Sequence, residues 1–423
     1  MTSRSYYLDS AEKTASRAPL QGSVRADVCV IGAGLAGCST ALHLAERGYQ
    51  VVVLEAESVG YGASGRSGGQ VLAGVAAGNE KLAALLGRSD ARKIWDVTVE
   101  SLSLIRSLID RHNIACDFVM GHMEVAIKAR QEAALRNWAE QLKQQLHYPH
   151  MRTVERAELA QLIASERYRF ATYDSLAGHL HPLNYNLGLA RAAEQAGVKI
   201  FVSSRALSYG DETQGIAVHT AYGEVRAAHL VLCGNTDLGG FAPTLQRRIM
   251  PVGTYMIATE PLGAERARGL IANNAAVTDT NWVLDYFRLS REHRLLFGGR
   301  VAYGRYADRD DGRATRARML SVFPQLRDVA VDYSWGGRVD ITLNRAPDFG
   351  RLSARVFYLQ GFSGHGIALT TIAGQVLAAA IAGSAERFDV FAKIPHRPFP
   401  GGAILRRPAL VLAMLWYRLR DLL

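Results

Sequence analysis

The sequence predicts an α/β fold in which a Rossmann-like domain is joined to a discontinuous, β-rich second domain. An apolar run, a glycine turn, a helical stretch and a second apolar run follow one another in residues 27–55. A similar strand, glycine turn and apolar helix recurs at residues 356–382. Several β-rich, aromatic runs occupy residues 242–333 and predict the second domain. A chain of 423 residues is long enough for two joined domains.

The first element is the segment DVCVIGAGLAG, which predicts a strand that runs through glycines into a helix. Gly32 permits a tight turn, Gly34 leaves room for a pyrophosphate beside the backbone, and Gly37 lets the helix pack closely on the strand. The N–H groups at the helix start favour the phosphates. Glu55 follows Gly32 by 23 residues, close to the spacing of an acid that binds a ribose hydroxyl. The segment therefore predicts a dinucleotide site.

A second glycine-rich loop, GASGRSGGQ, follows at residues 62–70 and can lie flat against a ligand. A nicotinamide enzyme would need no such loop. The loop resembles that of the FAD-dependent D-amino-acid oxidase superfamily, which includes glycine oxidase and sarcosine oxidase. Within it the loop is most similar to the gamma-glutamylputrescine oxidase group, which shares the SYY start at residues 5–7. The resemblance implies FAD contacts from Ala63, Ser64, Arg66, Ser67, Gly68, Gly69 and Gln70.

The resemblance covers nearly the whole chain and implies the glycine oxidase type of fold, a Rossmann-like FAD-binding domain with a discontinuous β-sheet substrate domain. Helical periodicity at residues 79–145, broken by a strand at 118–128, places a helical region before the sheet. The predicted order is an N-terminal arm (1–25), a first FAD-binding segment (26–78), the helical region of the substrate domain (79–150), a second FAD-binding segment (151–240), the substrate sheet (241–334), a third FAD-binding segment (335–400) and a C-terminal amphipathic helix (401–423).

A third glycine turn closes the cofactor site in this interpretation. In the superfamily the helix after it points at the pyrimidine edge of the isoalloxazine, where its dipole stabilises negative charge on reduced flavin. By the same resemblance, Ala206 offers its backbone to the adenine. The predicted cofactor residues of the third turn are Gly361, Gly364, His365, Gly366 and Ile367. Sarcosine oxidases with covalent flavin carry a cysteine near Asp340 or Ile341, and since neither can form a thioether, non-covalent FAD is predicted.

Candidate catalytic residues are fewer and less specific. Tyr255 and Tyr286 lie on predicted strands, where aromatic residues also serve as core. In glycine-oxidase relatives an arginine at the place of Arg338 binds the substrate carboxylate, which suits a bidentate guanidinium, although an ion pair between the domains is an equal alternative. His365 is the fourth candidate. For His179 and His181 we favour structural or substrate-lining roles, because no further metal ligands are indicated.

The amino-acid composition excludes further classes of function. Lys and Arg number 49 against 39 Asp and Glu, a formal charge of +10, but no basic run is interleaved with aromatics, so nucleic-acid binding is not predicted. An RNA-modifying flavoprotein would need a methyltransferase partner that no segment supplies. Four isolated cysteines predict buried thiols rather than disulfides or a metal site. Together with an N-terminus that lacks a signal-peptide core, they fit a cytoplasmic protein.

The C-terminal segment remains a separate question. Val411, Leu415, Leu419 and Leu422 fall on one helical face near several arginines. Its apolar run is too short to span a bilayer. We expect this helix to dock on the protein, and contact with an anionic membrane surface is the less favoured alternative.

The resemblance also implies the reaction. A C–H bond next to an amine nitrogen gives a hydride to flavin N5, the imine hydrolyses to an aldehyde and ammonia, and molecular oxygen becomes hydrogen peroxide. The favoured substrate is gamma-glutamylputrescine or a similar glutamylated polyamine, in polyamine catabolism. The alternative is an oxidase or dehydrogenase of a small secondary amino acid such as sarcosine or pipecolate, with electrons passed to a quinone.

Overall fold

The computed structural model describes residues 5–213, 215–302 and 312–400, so the predicted C-terminal helix at 401–423 lies outside the described residues. The helices are α1 Tyr6–Ser10, α2 Leu35–Ala45, α3 Asn79–Leu86, α4 Arg88–His112, α5 Ala129–Gln144, α6 Arg156–Leu162, α7 Pro182–Gln195, α8 Pro243–Gln246, α9 Ala264–Leu270, α10 Arg313–Val322, α11 Gly366–Ile381 and α12 Glu386–Ala392. The strands are β1 Gly22–Ile31, β2 Val51–Leu54, β3 Gln70–Val71, β4 Val119–Ala126, β5 Met151–Val154, β6 Phe170–His179, β7 Lys199–Phe201, β8 Ser208–Glu212, β9 Gly215–His219, β10 Gly223–Leu232, β11 Ile249–Thr259, β12 Ala276–Asp279, β13 Tyr286–Leu289, β14 Leu295–Ala302, β15 Val331–Thr342, β16 Asp348–Arg351 and β17 Val356–Gln360.

The first sheet has the strand order β16-β17-β10-β1-β2-β7, with β16 antiparallel to β17, and β8 and β9 extend it beside β10. Strands β17, β10, β1, β2 and β7 run parallel. Their cores are continuous apolar runs, as expected for strands covered on both faces. The carboxyl ends of these five strands therefore meet at one edge of the sheet.

Helices α2 and α11 lie side by side on one face of the first sheet. Ser39 Oγ donates to the carbonyl of Thr371 at 2.6 Å. A Cβ atom at Gly374 would lie 2.5 Å from the amide nitrogen of Thr40, so only glycine allows this approach. Close packing thus fixes the start of α11 relative to the start of α2.

The second sheet has the order β15-β11-β14-β13-β12-β4-β6-β3, with β5 beside β6. One face packs on α9 and α10 through a core cluster that includes Met123, Val277, Phe287 and Phe297. The alternate residues of the same strands point to the opposite face. This opposite face, here called the front face, is the one that meets the first sheet's helices, because Met256, Leu296 and Trp335 belong to their core cluster.

The α/β fold with a Rossmann-like sheet and a second, discontinuous sheet is confirmed, but the strands change sheets at points that differ from the predicted boundaries. Residues 151–179, assigned to the second FAD-binding segment, supply β5 and β6 of the second sheet. Strand β15 likewise carries the second sheet past the predicted boundary at 335. Short apolar strands look alike in both sheets, and only the pairing of β6 with β4 decides their place.

The N-terminal arm packs against the neighbourhoods of both sheets. Tyr6 and Tyr7 on α1 are buried, and the Tyr7 ring contacts Trp335 and His181 edge-on at 5.3 and 4.9 Å between centroids. The backbone N–H of Leu20 donates to Ser204 Oγ at 2.8 Å. Among the described residues, no single helix is long and apolar enough to cross a bilayer, and only α11 and α12 together, bent by 117°, meet that measure.

Candidate cofactor and substrate site

Four parallel strands end at one edge of the first sheet, and three of them are followed by predicted cofactor residues. Gly32 follows β1, Glu55 follows β2, Asn235 follows β10, and Gly361 follows β17. Ligands of open parallel sheets bind outside the carboxyl ends of the strands. The edge therefore brings together residues that stand up to 329 positions apart in the sequence.

The first glycine turn has the geometry that its sequence predicts. Gly32 has φ +100°, a left-handed conformation that favours glycine. A Cβ atom at Gly37 would lie 1.9 Å from the carbonyl oxygen of Gly32, so a side chain there would push α2 off the strand. A Cβ atom at Gly34 would lie 2.8 Å from Ser64 Oγ. The turn is thus as narrow as a phosphate-binding loop requires.

Glu55 sits against this turn. Its Oε2 accepts from the N–H of Ala33 at 2.8 Å, and its Oε1 accepts from the N–H of Glu57 at 2.9 Å. Burial raises the pKa of the Glu55 carboxyl, while these backbone N–H groups oppose the shift. Each oxygen keeps a second lone pair for a ribose hydroxyl. The N–H of Ser204 donates to the Glu55 carbonyl at 2.8 Å. Ala206 follows Ser204 by two residues, so it lies close to Glu55.

The loop at residues 62–70 connects the two sheets. Its Ala63–Gly65 segment forms a short 3₁₀ turn, and Ser64 Oγ accepts from the N–H of Leu35 at 3.0 Å. Arg66 donates to the carbonyls of Tyr61 and Gly336 at 3.0 and 3.2 Å. The Ser67 hydroxyl is buried and finds no hydrogen-bond partner among the described residues. A buried hydroxyl without a partner is expected to meet a ligand or water.

The end of this loop is tightly enclosed. A Cβ atom at Gly68 would lie 2.7 Å from the Tyr286 ring, and one at Gly69 would lie 2.2 Å from the carbonyl oxygen of Leu180. Gln70 forms part of β3, where its Oε1 accepts from the hydroxyl of Thr278 at 2.9 Å. The two glycines are therefore required by the protein's own packing, which the resemblance alone did not reveal.

The third glycine turn is organised by Asp340. The Asp340 carboxylate accepts from the N–H groups of Gly361 and Phe362, the latter at 2.8 Å. Burial raises the pKa of Asp340 to about 6. Cβ atoms at Gly364 and Gly366 would meet no atom within 4 Å, which leaves open space at the start of α11. The His365 side chain does not cap this helix, and Ile367 lies in the first turn of the helix.

These features fit FAD. The first glycine turn follows β1, the unpartnered Ser67 hydroxyl lies in the loop after β2, and the uncapped start of α11 follows β17, all strands of one parallel set. The residues that would hold its phosphates and ribose belong to the first turn and Glu55. The residues that would hold its flavin end belong to the loop at 62–70 and the third turn.

The front face of the second sheet carries a row of side chains opposite this edge. The row crosses seven neighbouring strands in register. Its members are Trp335, Met256, Gly298, Tyr286, Thr278, Glu124 and Thr172. The row changes from apolar at β15 to polar at β4 and β6, so a substrate lying along it would meet both kinds of surface.

Two histidines join this face to the cofactor edge. His122, two residues before Glu124 on β4, lies 3.1 Å from the hydroxyl of Thr278, which in turn binds Gln70. Burial and, to a smaller extent, the nearby His365 lower the pKa of His122 to about 3. Burial also lowers the pKa of His365 to about 4. Both imidazoles are therefore neutral at physiological pH.

The other candidate residues occupy different surroundings. Tyr255 is buried beside Gly336, whose Cβ atom would lie 3.2 Å from the Tyr255 ring. Tyr286 lies between Gly68 and Gly298, and burial raises its pKa. Arg338 is exposed, and its Nη1 lies 3.9 Å from Asp237 Oδ1. Tyr286 on the front face and His365 at the start of α11 thus lie on the two sides of the boundary between the front face and the cofactor edge, here called the cleft. Arg338 forms only a loose pair with Asp237.

The paired histidines of the sequence have structural partners. His179 Nε2 lies 2.9 Å from the carbonyl of Asn274, and His181 Nδ1 accepts from the N–H of Asn184 as the cap of α7. No group of three metal-ligating side chains occurs among the described residues. All four cysteines are free thiols, and Cys29, Cys38 and Cys116 are buried.

Several residues of this site were missed by sequence reasoning. Glu124, His122 and Thr278 come together only through strand pairing, although the alternation of polar residues in GHMEVA was a visible sign of a two-faced strand. Asp340 was considered only as a replacement for a cysteine. Arg288, whose Nε donates to the Gly68 carbonyl at 2.8 Å, carried no local signal.

A Rossmann-like sheet with this glycine-lined edge, facing a second sheet with a polar front face, defines a flavin-dependent oxidoreductase. The family model described as FAD dependent oxidoreductase, DAO, matches residues 27–380. The chain belongs to this family, and its cofactor is FAD.

The chain is 42% identical to gamma-glutamylputrescine oxidoreductase of Escherichia coli K12 over 99% of this chain and 98% of that protein. It is 38% identical to the probable oxidoreductase OrdL of Haemophilus influenzae Rd over 99% and 97% of the two chains. Among solved structures, glycine oxidase from Bacillus cereus is similar in fold, with a TM-score of 0.70, 21% identity, and coverage of 88% of this chain and 99% of that one.

Proposed function

We propose that the protein oxidises gamma-glutamylputrescine or a similar glutamylated polyamine, with molecular oxygen as the electron acceptor. The observation that carries this proposal is the 42% identity, over nearly the full length of both chains, to the E. coli gamma-glutamylputrescine oxidoreductase. The products would be an aldehyde, ammonia and hydrogen peroxide. Such a reaction suits a soluble enzyme of the cytoplasm, which is where we propose that it acts.

FAD, when bound, supplies the acceptor for a hydride from the carbon next to the amine nitrogen. The chain's own residues would bind the amine along the front face and exclude water from the cleft. The start of α11 would stabilise negative charge through its free N–H groups and dipole. Asp340 would hold the backbone of Gly361 and Phe362 in place for that purpose.

Anaerobic bleaching of the flavin's visible absorbance by a panel of amines tests the proposal. We expect rapid bleaching by gamma-glutamylputrescine and little by sarcosine, pipecolate or glycine. Reoxidation by oxygen should then release one hydrogen peroxide per bleached flavin. Bleaching by the small amino acids alone would contradict the proposed substrate, and reoxidation by a quinone but not by oxygen would contradict the proposed acceptor.

The second candidate function, oxidation of a small secondary amino acid, depends on Arg338 as the carboxylate anchor. Its exposure and its 3.9 Å separation from Asp237 indicate a weak surface pair, worth at most ~1 kcal/mol. We therefore predict that Arg338→Ala changes the rate of bleaching by gamma-glutamylputrescine less than ~5-fold, the change that corresponds to a lost contact of ~1 kcal/mol. Stopped-flow measurement of flavin reduction provides the test, with Arg351→Ala as a matched control away from the site. A large loss confined to small amino acids would favour the second candidate.

A further inference from the structure

Glu124 occupies a central place on the front face. Strand β4 pairs with β12 on one side and β6 on the other, so Glu124 lies in register between Thr278 and Thr172. Met123 and Val125, its neighbours in sequence, point into the core cluster behind the sheet. The Glu124 side chain therefore points toward the cleft, on the same face as His122, which is linked through Thr278 to the cofactor loop.

The Glu124 side chain is half-buried. Protein surrounds it closely enough that burial alone raises its pKa to about 7, yet some of its surface remains accessible. Beside it, Thr172 is 1% exposed and its hydroxyl finds no hydrogen-bond partner among the described residues. Two adjacent polar groups without partners among the described residues indicate that a ligand completes them.

The charged and titratable groups on this face leave Glu124 without a cation. His122 and His365 are neutral at physiological pH, because burial lowers the pKa of both. Asp174 accepts from the hydroxyl of Tyr148 and from the N–H of Leu176. Arg288 donates to the Gly68 carbonyl and to the hydroxyl of Tyr7. Arg136 of α5 lies over the Phe170 ring on the same face and is paired with Glu132 and Glu155. A half-buried carboxylate that forms no ion pair with a described residue is suited to a cationic ligand.

We propose that Glu124 receives the protonated amine of the substrate and takes its proton before the C–H bond breaks. The inference rests on the proposed oxidation of an amine. In this step R–CH₂–NH₃⁺ and the Glu124 carboxylate become R–CH₂–NH₂ and the neutral Glu124 acid, so charge and protons balance and no oxidant is consumed. The unpartnered Thr172 hydroxyl is placed to bind the same nitrogen. Since hydride loss requires the nitrogen lone pair, an acceptor that titrates near neutrality would prepare the substrate.

The test compares wild type with Glu124→Gln, which keeps the shape but cannot take a proton. At neutral pH we expect flavin reduction by gamma-glutamylputrescine to slow at least ~100-fold, the usual scale of proton transfer to a side chain. Near pH 10, where roughly 30% of an amine with a lysine-like pKa of ~10.4 is already neutral, most of this deficit should disappear. A purely structural defect would persist at every pH. Glu166→Gln, the same change at an exposed site, serves as the control, and Glu124→Asp should restore some of the rate.

A second measurement separates this inference from the proposed function. Holoenzyme reduced beforehand with dithionite cannot oxidise an amine, so calorimetry reports binding of gamma-glutamylputrescine alone. We expect Glu124→Gln to weaken that binding at least ~10-fold, consistent with loss of a charge-assisted contact. If the variant binds and reduces like wild type while wild type is bleached, the role of Glu124 is overturned and the proposed function stands. If no amine bleaches the wild-type flavin but Glu124→Gln still weakens binding of gamma-glutamylputrescine, the proposed oxidation is contradicted and the amine-binding role of Glu124 is supported.

Discussion

At the scale of single residues, the second sheet carries a half-buried carboxylate on its front face and a buried one behind it. Glu124 on the front face lacks a cation and faces a cleft. Asp279 on β12 lies two residues beyond Val277, which packs in the core cluster behind the sheet. It is 1% exposed and accepts from the N–H groups of Asn281 and Asp285, both at 3.1 Å. Asp279 therefore has a structural role, and its ionisation affects the stability of the fold.

We predict that Asp279→Asn changes the pH dependence of stability. Burial, and to a smaller extent the charge of Asp285, raise the pKa of Asp279 from 3.8 to about 7 in the folded protein. The stability gained from the neutral form is fully present below about pH 4 and is lost as pH rises through about 7. The variant is neutral throughout, so relative to wild type its free energy of unfolding should rise by up to ~4 kcal/mol across that window.

Denaturant unfolding at several pH values measures this difference, whatever constant offset the substitution adds. A difference between variant and wild type that stays the same from pH 4 to pH 8 would show that Asp279 is not titrating there. Flavin reduction by amines should be unchanged, because Asp279 faces away from the cleft.

Residues that act within one local motif could be predicted from the sequence. Residues that act together only because their strands pair could not. Gly32, Gly37 and Glu55 act within one strand–turn–helix–strand unit, so their spacing alone indicates their roles. Glu124 and Thr172 become neighbours only when β4 pairs with β6. No spacing rule connects two strands separated by two helices and a further strand, and a resemblance in glycine loops does not extend to them.

At the scale of elements, the first glycine turn predicts a sharp response to a single methyl group. Gly37→Ala would place a Cβ atom 1.9 Å from the Gly32 carbonyl oxygen, so α2 must move away from β1. We expect a loss of ~1–3 kcal/mol or more in stability, the range for overpacking, and protein that purifies with little flavin. The ratio of visible to ultraviolet absorbance measures the flavin content.

Gly269→Ala is a matched control for this substitution. Gly269 lies within α9, and a Cβ atom there would meet no atom within 4 Å. The control should keep its flavin and gain ~0.5–1 kcal/mol, as expected for alanine in place of glycine in a helix. Equal flavin content in the two variants would contradict the packing argument.

The arm helix α1 predicts a longer-range effect. Tyr7 is buried, and its hydroxyl accepts from Arg288 Nη2 at 3.0 Å, while Arg288 Nε donates to the Gly68 carbonyl. Tyr7→Phe leaves one side of a buried guanidinium unpaired, which should cost ~1–3 kcal/mol. Because Arg288 also fixes the cofactor loop, we expect flavin to dissociate faster than from wild type. Flavin fluorescence on dilution measures this rate.

Tyr222→Phe removes the same hydroxyl from a side chain that is 69% exposed and serves as the control. It should match wild type in both stability and flavin release. If Tyr7→Phe also matched wild type, the contact between arm and loop would have no energetic importance.

At the scale of the whole molecule, the two sheets share the cofactor between them. The first sheet supplies the glycine edge, and the second supplies β3, the front face and Asp340, which holds the third turn. No cysteine lies at Asp340 or Ile341, and the four cysteines belong to other places in the fold. We predict that acid precipitation releases the flavin into the supernatant. Colour that stays in the protein pellet would instead show a covalent bond.

The position of α1 has a consequence for how the molecule is made. Tyr7 and the Arg288 that it binds stand 281 residues apart, so a ribosome adding ~5–20 residues per second needs ~15–60 s to produce the second after the first. Strand β1 also cannot pair with its parallel neighbour β10 until β10 has been synthesised. Throughout this interval two aromatic side chains destined for the interior remain in water. The N-terminal arm is thus synthesised early but reaches its final contacts late. Conditions that slow translation should lengthen the time during which chaperones can bind the nascent chain.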